Sequence, residues 1–244
     1  MARLCLIWVF ALLWTLVTAK SLPNLRILTL GDSITKGNGS GGNPNGYRSR
    51  LRGLLVQAGA QVDMIGTLKT GTMADNDHEG HSGKTIKTIA TKWQKPIVAK
   101  PNLILIHAGT NNMDLNEDLD TAPTLYANML DGMFNEYNDV VILVVPVIYS
   151  KKAHLNKNRE AFNAKLQTIV KQRQDKGKHI HITAVDITDA DLSDEKHPNI
   201  QGYNKFADAF FAGINRVNDK EWLVAPAKID YDAYPDVGLG RRGQ

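Results

Sequence analysis

The chain has 244 residues, of which 43% are hydrophobic and 22% are charged. This composition is typical of a soluble globular protein, and it excludes a disordered chain, a collagen-like repeat and a small disulfide-stabilised scaffold. The formal net charge is +4, and the basic residues are scattered, so we expect no nucleic-acid partner. The length suits a single α/β domain.

Residues 1–19 have the pattern of a secretory signal peptide. Arg3 provides a basic start, residues 4–17 are almost wholly apolar, and Ala19 is a small residue before a cleavage site. The apolar run is shorter than the ~20 residues of a membrane span. We therefore expect a secreted, extracellular protein that has no membrane attachment after cleavage. The only cysteine, Cys5, lies in this segment, so the mature chain would contain neither a disulfide nor a cysteine nucleophile.

Beyond residue 19, short apolar runs alternate with helical patterns. The runs predict strands at 25–30, 62–65, 103–107, 140–145 and 179–186. The helical patterns cover 47–59, 121–137, 156–176 and 200–217. Such alternation predicts an α/β fold: a three-layer αβα sandwich around a flavodoxin-like, five-stranded parallel sheet with strand order 2-1-3-4-5. Functional residues are then expected at the carboxyl ends of the strands.

The first strand leads directly into Gly31-Asp-Ser33-Ile-Thr35. A serine at a strand-to-helix junction can project its hydroxyl from the sheet edge, beside backbone amides that favour developing negative charge. The alternative is that Ser33 or Thr35 only caps the helix. Ser33 is therefore a candidate nucleophile.

A second block, Asp194-Glu-Lys-His197, lies between the fifth strand and the last helix. An Asp and a His three residues apart can place a carboxylate against an imidazole, whose other nitrogen takes a proton from a hydroxyl. Alone, this spacing is more typical of a surface pair. The predicted topology, however, brings it to the same sheet edge as Ser33, and the combination favours nucleophilic catalysis.

Two weaker blocks belong to the same predicted edge. Gly109-Thr-Asn111-Asn112 follows the third strand, and its amide side chain is a candidate donor to an oxyanion. Gly83 lies in a long loop after the second strand, where a glycine lets a backbone N–H approach a substrate closely. Either block alone is weak, because Gly and Asn are common in turns.

These four blocks, in this order, resemble the SGNH hydrolases, also called the GDSL family. The resemblance covers about residues 27–217. It implies that Ser33, His197 and Asp194 form a catalytic triad and act through an acyl-enzyme. It also implies an oxyanion hole made by the backbone N–H groups of Ser33 and Gly83 and by the side chain of Asn111. No cofactor and no metal are expected.

Residues 46–51, 62–66 and above all 71–83 are similar to the acetyl xylan esterases of carbohydrate esterase family 3, which are secreted microbial enzymes. This finer resemblance implies an acetylated polysaccharide or a small ester as substrate. Two positions depart from the family pattern. Asn112 stands where most relatives have Asp, which we expect to affect loop support more than the oxyanion donor. Lys84 stands where bulkier or apolar residues are usual, and we expect it to alter substrate preference.

Two other functions remain open as alternatives. One is a general GDSL-type short-chain esterase or lipase, although the sequence has no long apolar lid segment. The other is a non-catalytic carbohydrate-binding domain, which is disfavoured because the complete triad is present. A dinucleotide site is disfavoured by the lack of a G-x-G-x-x-G motif after the first strand. We expect a monomer.

A dense group of titratable residues lies in the predicted loop after the second strand: Asp75, Asp77, His78, Glu79 and His81. Their spacing is neither that of an EF-hand nor that of a zinc motif. It favours a solvated or substrate-facing loop over a calcium site. His107, at the end of an apolar strand, is interpreted as a hydrogen-bonded core histidine.

The folded domain is assigned to residues 20–220. Residues 221–244 have no clear periodicity and carry several Pro and Gly residues. This composition indicates an extended tail packed on the surface or the start of a linker.

Overall fold

The computed structural model describes residues 20–41 and 44–230. The predicted signal peptide and the end of the predicted tail, 231–244, lie outside the described residues. The strands are β1 (Leu25–Gly31), β2 (Val62–Ile65), β3 (Leu68–Lys69), β4 (Asp77–Gly80), β5 (Leu103–His107), β6 (Val141–Val144) and β7 (Ile180–Ile182). The α-helices are α1 (Ser33–Lys36), α2 (Gly46–Gln57), α3 (Ile86–Ile89), α4 (Thr110–Leu115), α5 (Ala122–Glu136), α6 (Ala153–Gln174) and α7 (Ile200–Asp219). Within these ranges no helix is both long enough and apolar enough to cross a membrane.

The five predicted strands form a parallel sheet in the order β2-β1-β5-β6-β7. This is the order predicted from the sequence, and the α/β sandwich is confirmed. Successive strand residues point to opposite faces, so each strand contributes to two hydrophobic cores. One core lies under α3, α5 and α6 and the other under α2 and α7. Because both faces are covered, the strands are continuously apolar rather than alternating.

Two short strands extend the sheet beyond the prediction. β3 and β4 pair in antiparallel fashion, and β4 pairs in parallel with the last two residues of β1. β2 occupies the same side of β1 at residues 25–28. The assignment of the stretch after the second strand to a long loop is therefore wrong at Asp77–Gly80. That segment has no apolar pattern, and it becomes a strand because it completes the edge of β1.

Element boundaries also differ from the sequence pattern. α6 begins at Ala153, three residues before the predicted start, and β7 covers only Ile180–Ile182 of the predicted 179–186. The helix expected after the first strand, α1, has only four residues, and two further short helices, α3 and α4, were not predicted. Helices this short do not complete the two turns that an amphipathic pattern needs.

The described part of the tail, residues 221–230, lies against the amino ends of the strands. Asn102, just before β5, donates from Nδ2 to the carbonyl oxygen of Val224 at 2.7 Å. Arg26 donates to the carbonyl oxygen of Ala227 at 3.1 Å. The Trp222 ring stacks on an imidazole at the start of β7, with 4.9 Å between centroids. These contacts are at the opposite edge of the sheet from Ser33.

Candidate active site

The junction between β1 and α1 places Ser33 at the carboxyl edge of the sheet. Gly31 ends the strand so close to β5 that a Cβ there would lie 2.1 Å from the carbonyl oxygen of His107. Asp32 is the N-cap of α1, and its Oδ1 accepts from the backbone N–H two residues later at 3.0 Å. The alternative of Ser33 as a helix cap is therefore wrong, and its hydroxyl is available for another partner.

The structure brings the three predicted triad residues together. Ser33 Oγ lies 2.8 Å from His197 Nε2, across 164 positions of sequence. His197 Nδ1 lies 2.7 Å from Asp194 Oδ2. The other Asp194 oxygen, Oδ1, accepts the backbone N–H groups of Lys196 at 2.9 Å and of His197 at 2.7 Å. The carboxylate is thus held in place by the loop on which it lies.

These contacts determine the charge state of Asp194. Partial burial by itself would raise its pKa, but the two backbone N–H groups and the His197 imidazole outweigh burial and hold the pKa below its ordinary value. The carboxylate is therefore ionised at neutral pH and accepts a hydrogen bond from His197 Nδ1. This tautomer leaves Nε2 free to accept the proton of the Ser33 hydroxyl.

The loop that carries Asp194 and His197 is supported from two sides. The carbonyl oxygen of Glu195 accepts from Ser150 Oγ at 2.7 Å and from the Lys151 backbone N–H at 2.8 Å. On the other side a Cβ at Gly39 would lie 2.8 Å from His197 Cβ. The backbone at Gly39 therefore lies close against His197, and a side chain at position 39 would displace it.

The Gly83 loop is tied to the same edge. The backbone N–H of His81 donates to the Gly31 carbonyl oxygen at 2.8 Å, which fixes the loop beside the end of β1. Gly83 has a φ of +72°, and a Cβ there would meet nothing within 4 Å. Glycine is needed for its backbone conformation rather than for space. In the described part of the chain, the backbone N–H groups of Ser33 and Gly83 have no protein acceptor.

Asn111 and Asn112 open helix α4 with different roles. Asn111 donates from Nδ2 to the carbonyl oxygen of Lys84 at 3.0 Å, so its amide lies against the Gly83 loop and keeps a second N–H. Asn112 is fully buried: Oδ1 accepts from Ile86 N at 2.8 Å, and Nδ2 donates to Glu117 O at 3.1 Å. The second of these bonds requires an amide, because an ionised carboxylate has no donor.

The interpretation of the acidic group after β2 as a solvated or substrate-facing loop is wrong at its three central residues. Asp77, His78 and Glu79 are almost completely buried because β4 pairs with β1. Two carboxylates of the group have partners nearby. Asp75 Oδ2 accepts the backbone N–H of Met64, and Glu79 Oε2 lies 2.7 Å from Nε2 of the neighbouring His81. Among the described residues, no three His, Cys, Asp or Glu side chains are arranged to hold a metal ion.

Two buried histidines lie near the site without contacting Ser33. Nδ1 of His107 lies 3.2 Å from the Val145 carbonyl oxygen, and burial lowers the pKa of this imidazole. The interpretation of His107 as a hydrogen-bonded core residue is confirmed. Burial also lowers the pKa of His78 to about 3, and Arg48 and other nearby cations add to that effect. Both rings are neutral at neutral pH.

Sequence reasoning missed two charged residues that support the site. Arg48, on α2, is fully buried and donates to backbone carbonyls around the nucleophile helix. Asp114, on α4, binds the Lys196 ammonium at 2.6 Å and so contacts the His197 loop. Charged residues are normally solvent-exposed, so neither the predicted helix around Arg48 nor the sequence around Asp114 indicated a buried role.

Comparison with known proteins agrees with this geometry. Residues 29–205 match the model of the GDSL-like lipase/acylhydrolase family. A family 3 carbohydrate esterase from Clostridium thermocellum is 30% identical, with a TM-score of 0.70 over 80% of this chain and 98% of that chain. None of the curated proteins matches this chain.

Two further solved structures share the fold. A family 3 carbohydrate esterase from Talaromyces cellulolyticus is 23% identical, with a TM-score of 0.69 over 80% of this chain and 99% of that chain. A mutant acetyl esterase with an acetate ion is 22% identical, with a TM-score of 0.68 over 81% and 99%. The family match covers more than half of this chain, and the sequence resemblance is confirmed. The chain therefore belongs to the GDSL-like lipase/acylhydrolase family and is a serine ester hydrolase.

Proposed function

We propose that this enzyme hydrolyses acetyl esters on plant cell-wall polysaccharide, such as acetylated xylan, with Ser33 as the nucleophile. The observation that carries the proposal is the continuous chain of hydrogen bonds from Ser33 Oγ through His197 to the ionised Asp194. The chain ends at the sheet edge where ligands bind in open parallel sheets. The structural likeness to family 3 carbohydrate esterases supports a sugar ester as the substrate.

In the first half of the reaction Ser33 Oγ attacks the ester carbonyl carbon. His197 Nε2, 2.8 Å from Oγ, takes the hydroxyl proton as the new bond forms. The carboxylate of Asp194 holds the ring in the required tautomer and stabilises the imidazolium that results. The imidazolium then protonates the leaving sugar oxygen, and the acetyl group remains on Ser33.

The tetrahedral oxyanion needs preorganised donors. The backbone N–H groups of Ser33 and Gly83 have no acceptor within the described protein. The Asn111 amide uses one N–H on Lys84 and retains the other. These three donors form the proposed oxyanion hole, and removal of one typically costs about 10²–10³ in rate.

In the second half of the reaction a water molecule releases the acetyl group. His197, neutral again, takes a proton from the water as its oxygen attacks the acyl carbon. Collapse of the second tetrahedral intermediate breaks the bond to Ser33 Oγ and returns the proton to it. Acetate leaves, and the hydrogen-bonded triad is restored.

The surroundings of the triad favour a polar alcohol. A groove of about 480 Å³ lies beside Asp194 and His197. Its other walls come from one loop of small and polar residues: Gly37, Asn38, Gly39, Ser40 and Pro44. Such walls offer hydrogen bonds to sugar hydroxyls.

We also propose that the enzyme is secreted as a monomer after removal of residues 1–19, with a catalytic domain over 20–220. The basic start, the apolar run and Ala19 support this location. Sequencing of the amino terminus of the secreted protein is expected to begin at Lys20. An intact Met1 in the extracellular protein would contradict the assignment.

The nucleophile is tested by Ser33→Ala. We expect kcat on p-nitrophenyl acetate to fall by at least about 10³, because acylation requires this hydroxyl. The unfolding midpoint should stay close to that of the wild type. Ser21→Ala, an exposed serine at the opposite edge of the sheet, is the matched control. Retention of more than a few per cent of activity in Ser33→Ala would contradict the assignment.

Substrate class is tested by comparing acetate release from acetylated xylan with hydrolysis of p-nitrophenyl acetate and octanoate. Rapid acetate release with little octanoate turnover is expected. A preference for octanoate, with xylan untouched, would instead favour a lipase-like enzyme. No turnover of any of these substrates would favour a non-catalytic carbohydrate-binding domain.

A further inference from the structure

A second cavity, of about 240 Å³, opens on the same edge of the sheet as Ser33. Three segments enclose it: the chain after β6, one side of α6 and the chain after β7. Apolar residues such as Val147 and Ile187 form its floor, and Tyr149 forms part of its wall. The catalytic mechanism uses none of these side chains.

The polar side chains of the cavity divide into fixed and free groups. Asn163 is fixed, because Oδ1 accepts from Val147 N at 3.0 Å and Nδ2 donates to Val147 O at 2.8 Å. Arg159 uses Nε on Asn156 and places its guanidinium 5.9 Å from the Tyr149 ring centroid. Within the described residues, the exposed side chains of Gln167 and Asp186 have no protein partner. The cavity therefore combines a partly exposed aromatic ring with unused donors and acceptors.

This arrangement suits a neutral sugar ring. The exposed part of the Tyr149 ring, beside the Arg159 guanidinium, offers apolar surface to the C–H groups of a pyranose, while amide, guanidinium and carboxylate groups are able to bind its hydroxyls. Arg159 and Asp186 balance each other in charge, which disfavours a phosphate or another strongly anionic ligand. The volume is below the ~300–1,000 Å³ of pockets for drug-sized ligands, as expected for a single ring.

The cavity is directly connected to the triad loop. Tyr149 precedes Ser150, whose Oγ donates to the carbonyl oxygen of Glu195, between Asp194 and His197. On the other side, the interaction of the Tyr149 hydroxyl with the Asp189 carboxylate raises the pKa of the phenol. Ser33 follows β1 and Tyr149 follows β6, with β5 between them. Two strand spacings of about 4.8 Å place the cavity about 10 Å across the sheet from the nucleophile.

We infer that this cavity is a distal subsite, which binds an unreacted pyranose ring of the polysaccharide chain whose acetyl ester lies at Ser33. The inference rests on the proposed function, because it requires a polymeric sugar substrate. A chain that crosses the carboxyl edge from β1 to β6 reaches the cavity within a few rings. Binding there adds affinity for long substrates and contributes nothing to small esters.

The test compares kcat/KM on acetylated xylo-oligosaccharides of two to six sugars, each divided by kcat/KM on p-nitrophenyl acetate. For the wild type we expect this ratio to rise by about tenfold with chain length, the gain typical of one good anchoring contact. Tyr149→Ala and Gln167→Ala should remove most of the rise, and Tyr149→Phe should keep most of it. Gln172→Ala, an exposed glutamine on the same helix, is the matched control and should keep the full rise.

The outcomes separate this inference from the proposed function. A wild-type ratio that is independent of chain length overturns the subsite and leaves polysaccharide deacetylation standing. Hydrolysis of p-nitrophenyl acetate with no release of acetate from any oligosaccharide overturns the proposed substrate, and the subsite with it. A length dependence that persists in both Tyr149→Ala and Gln167→Ala also overturns the subsite. So does an equal loss on all substrates in both variants, since that result would assign the two residues to support of the triad.

A binding measurement provides an independent readout. Unacetylated xylohexaose should bind to the wild type, and Gln167→Ala should weaken its Kd severalfold while Gln172→Ala leaves it unchanged. Equal Kd values for the two glutamine variants would overturn the inference.

Discussion

The two sides of the active site are held by opposite kinds of charge. On the nucleophile side, the fully buried Arg48 donates to backbone carbonyls only, at 2.9–3.2 Å. Its acceptors are the carbonyl oxygens of Thr35, Lys36, Pro44, Thr70 and Asn76. On the acid–base side, Asp114 accepts from Lys152 at 2.9 Å and from Lys196 at 2.6 Å. These two lysine side chains are 27% and 21% exposed.

This difference shows two ways to fix a loop with a charged group. Burial lowers the pKa of Arg48 to about 10, with small opposing effects from nearby Tyr and Asp residues, so it stays charged at neutral pH. Burial alone would raise the pKa of Asp114, but its two lysines outweigh burial and hold that pKa below the ordinary value. Arg48 acts through hydrogen bonds to neutral carbonyl dipoles that are shielded from solvent. Asp114 acts through ion pairs that water and salt partly reach.

The largest effect is expected on removal of the buried guanidinium. Arg48→Met leaves several buried carbonyl groups without donors, so we expect the free energy of unfolding to fall by more than about 3 kcal/mol. Urea denaturation measures the loss. If this variant does not fold, Arg48→Lys, which keeps the charge with fewer donors, should still be clearly destabilised.

The matched control for that prediction is Arg50→Met. Arg50 lies on the same helix but forms an exposed pair with Asp208, and an exposed pair contributes about 0–1 kcal/mol. Similar losses for Arg48→Met and Arg50→Met would contradict the role of burial.

A smaller effect, on activity rather than on stability, is expected at Asp114. Asp114→Asn removes the anion that holds Lys196, which lies between Asp194 and His197. We expect kcat to fall by about tenfold with little change in KM, because misplacement of catalytic groups raises the barrier more than it weakens binding. Steady-state kinetics on p-nitrophenyl acetate provide the measurement. Asp120→Asn changes an exposed residue in the loop between α4 and α5 and should leave kcat unchanged. Equal kcat values for the two variants would disprove the positioning role of Asp114.

The smallest expected effect is on the pH dependence of stability, and its sign differs between the nucleophile side and the acid–base side of the site. Burial raises the pKa of Asp77, near Arg48, to about 6, although Lys69 partly offsets it. In the unfolded chain Asp77 ionises near its ordinary pKa, so its contribution favours folding below about pH 4 and is lost as pH rises through 6. Asp77→Asn should therefore flatten the stability curve between about pH 4 and pH 6. An unchanged slope of urea stability against pH in this variant would rule out the assignment.

At Asp114 the sign is reversed. Because its folded pKa is lowered, its contribution is present above the ordinary carboxyl pKa and is lost as pH falls through the folded value. Asp114→Asn should therefore lose less stability than the wild type on acidification below about pH 4. A steeper acid loss in the variant would contradict the ion-pair assignment.

Much of the fold was predictable because its strands are locally apolar. Leu103–His107 and Val62–Ile65 were predicted at their exact bounds. The segment Asp77–Gly80 was not predicted, because its side chains are polar and only its pairing with β1 makes it a strand. The helices α3 and α4 were missed because each is shorter than two turns.

The residues of the candidate site also fall into a predicted and an unpredicted group. Ser33, Asp194 and His197 were found because each lies in a short motif directly after a strand or before a helix, where parallel topology brings strand ends together. Arg48 and Asp114 were not found, because their partners are distant in sequence: Asp114 binds Lys196, 82 positions away. Nothing in the sequence immediately around either residue indicates burial.

Strand order, family and the residues of the proposed triad were predictable, since apolar runs and short motifs are local properties of the chain. Tertiary packing alone fixes the 2.8 Å contact of Ser33 with His197, the burial of Asp77, His78 and Glu79 and the partners of Arg48 and Asp114. Hydrogen bonding explains the difference. A buried polar group must find a partner, and the backbone or side chain that supplies it is selected by the packing of distant segments.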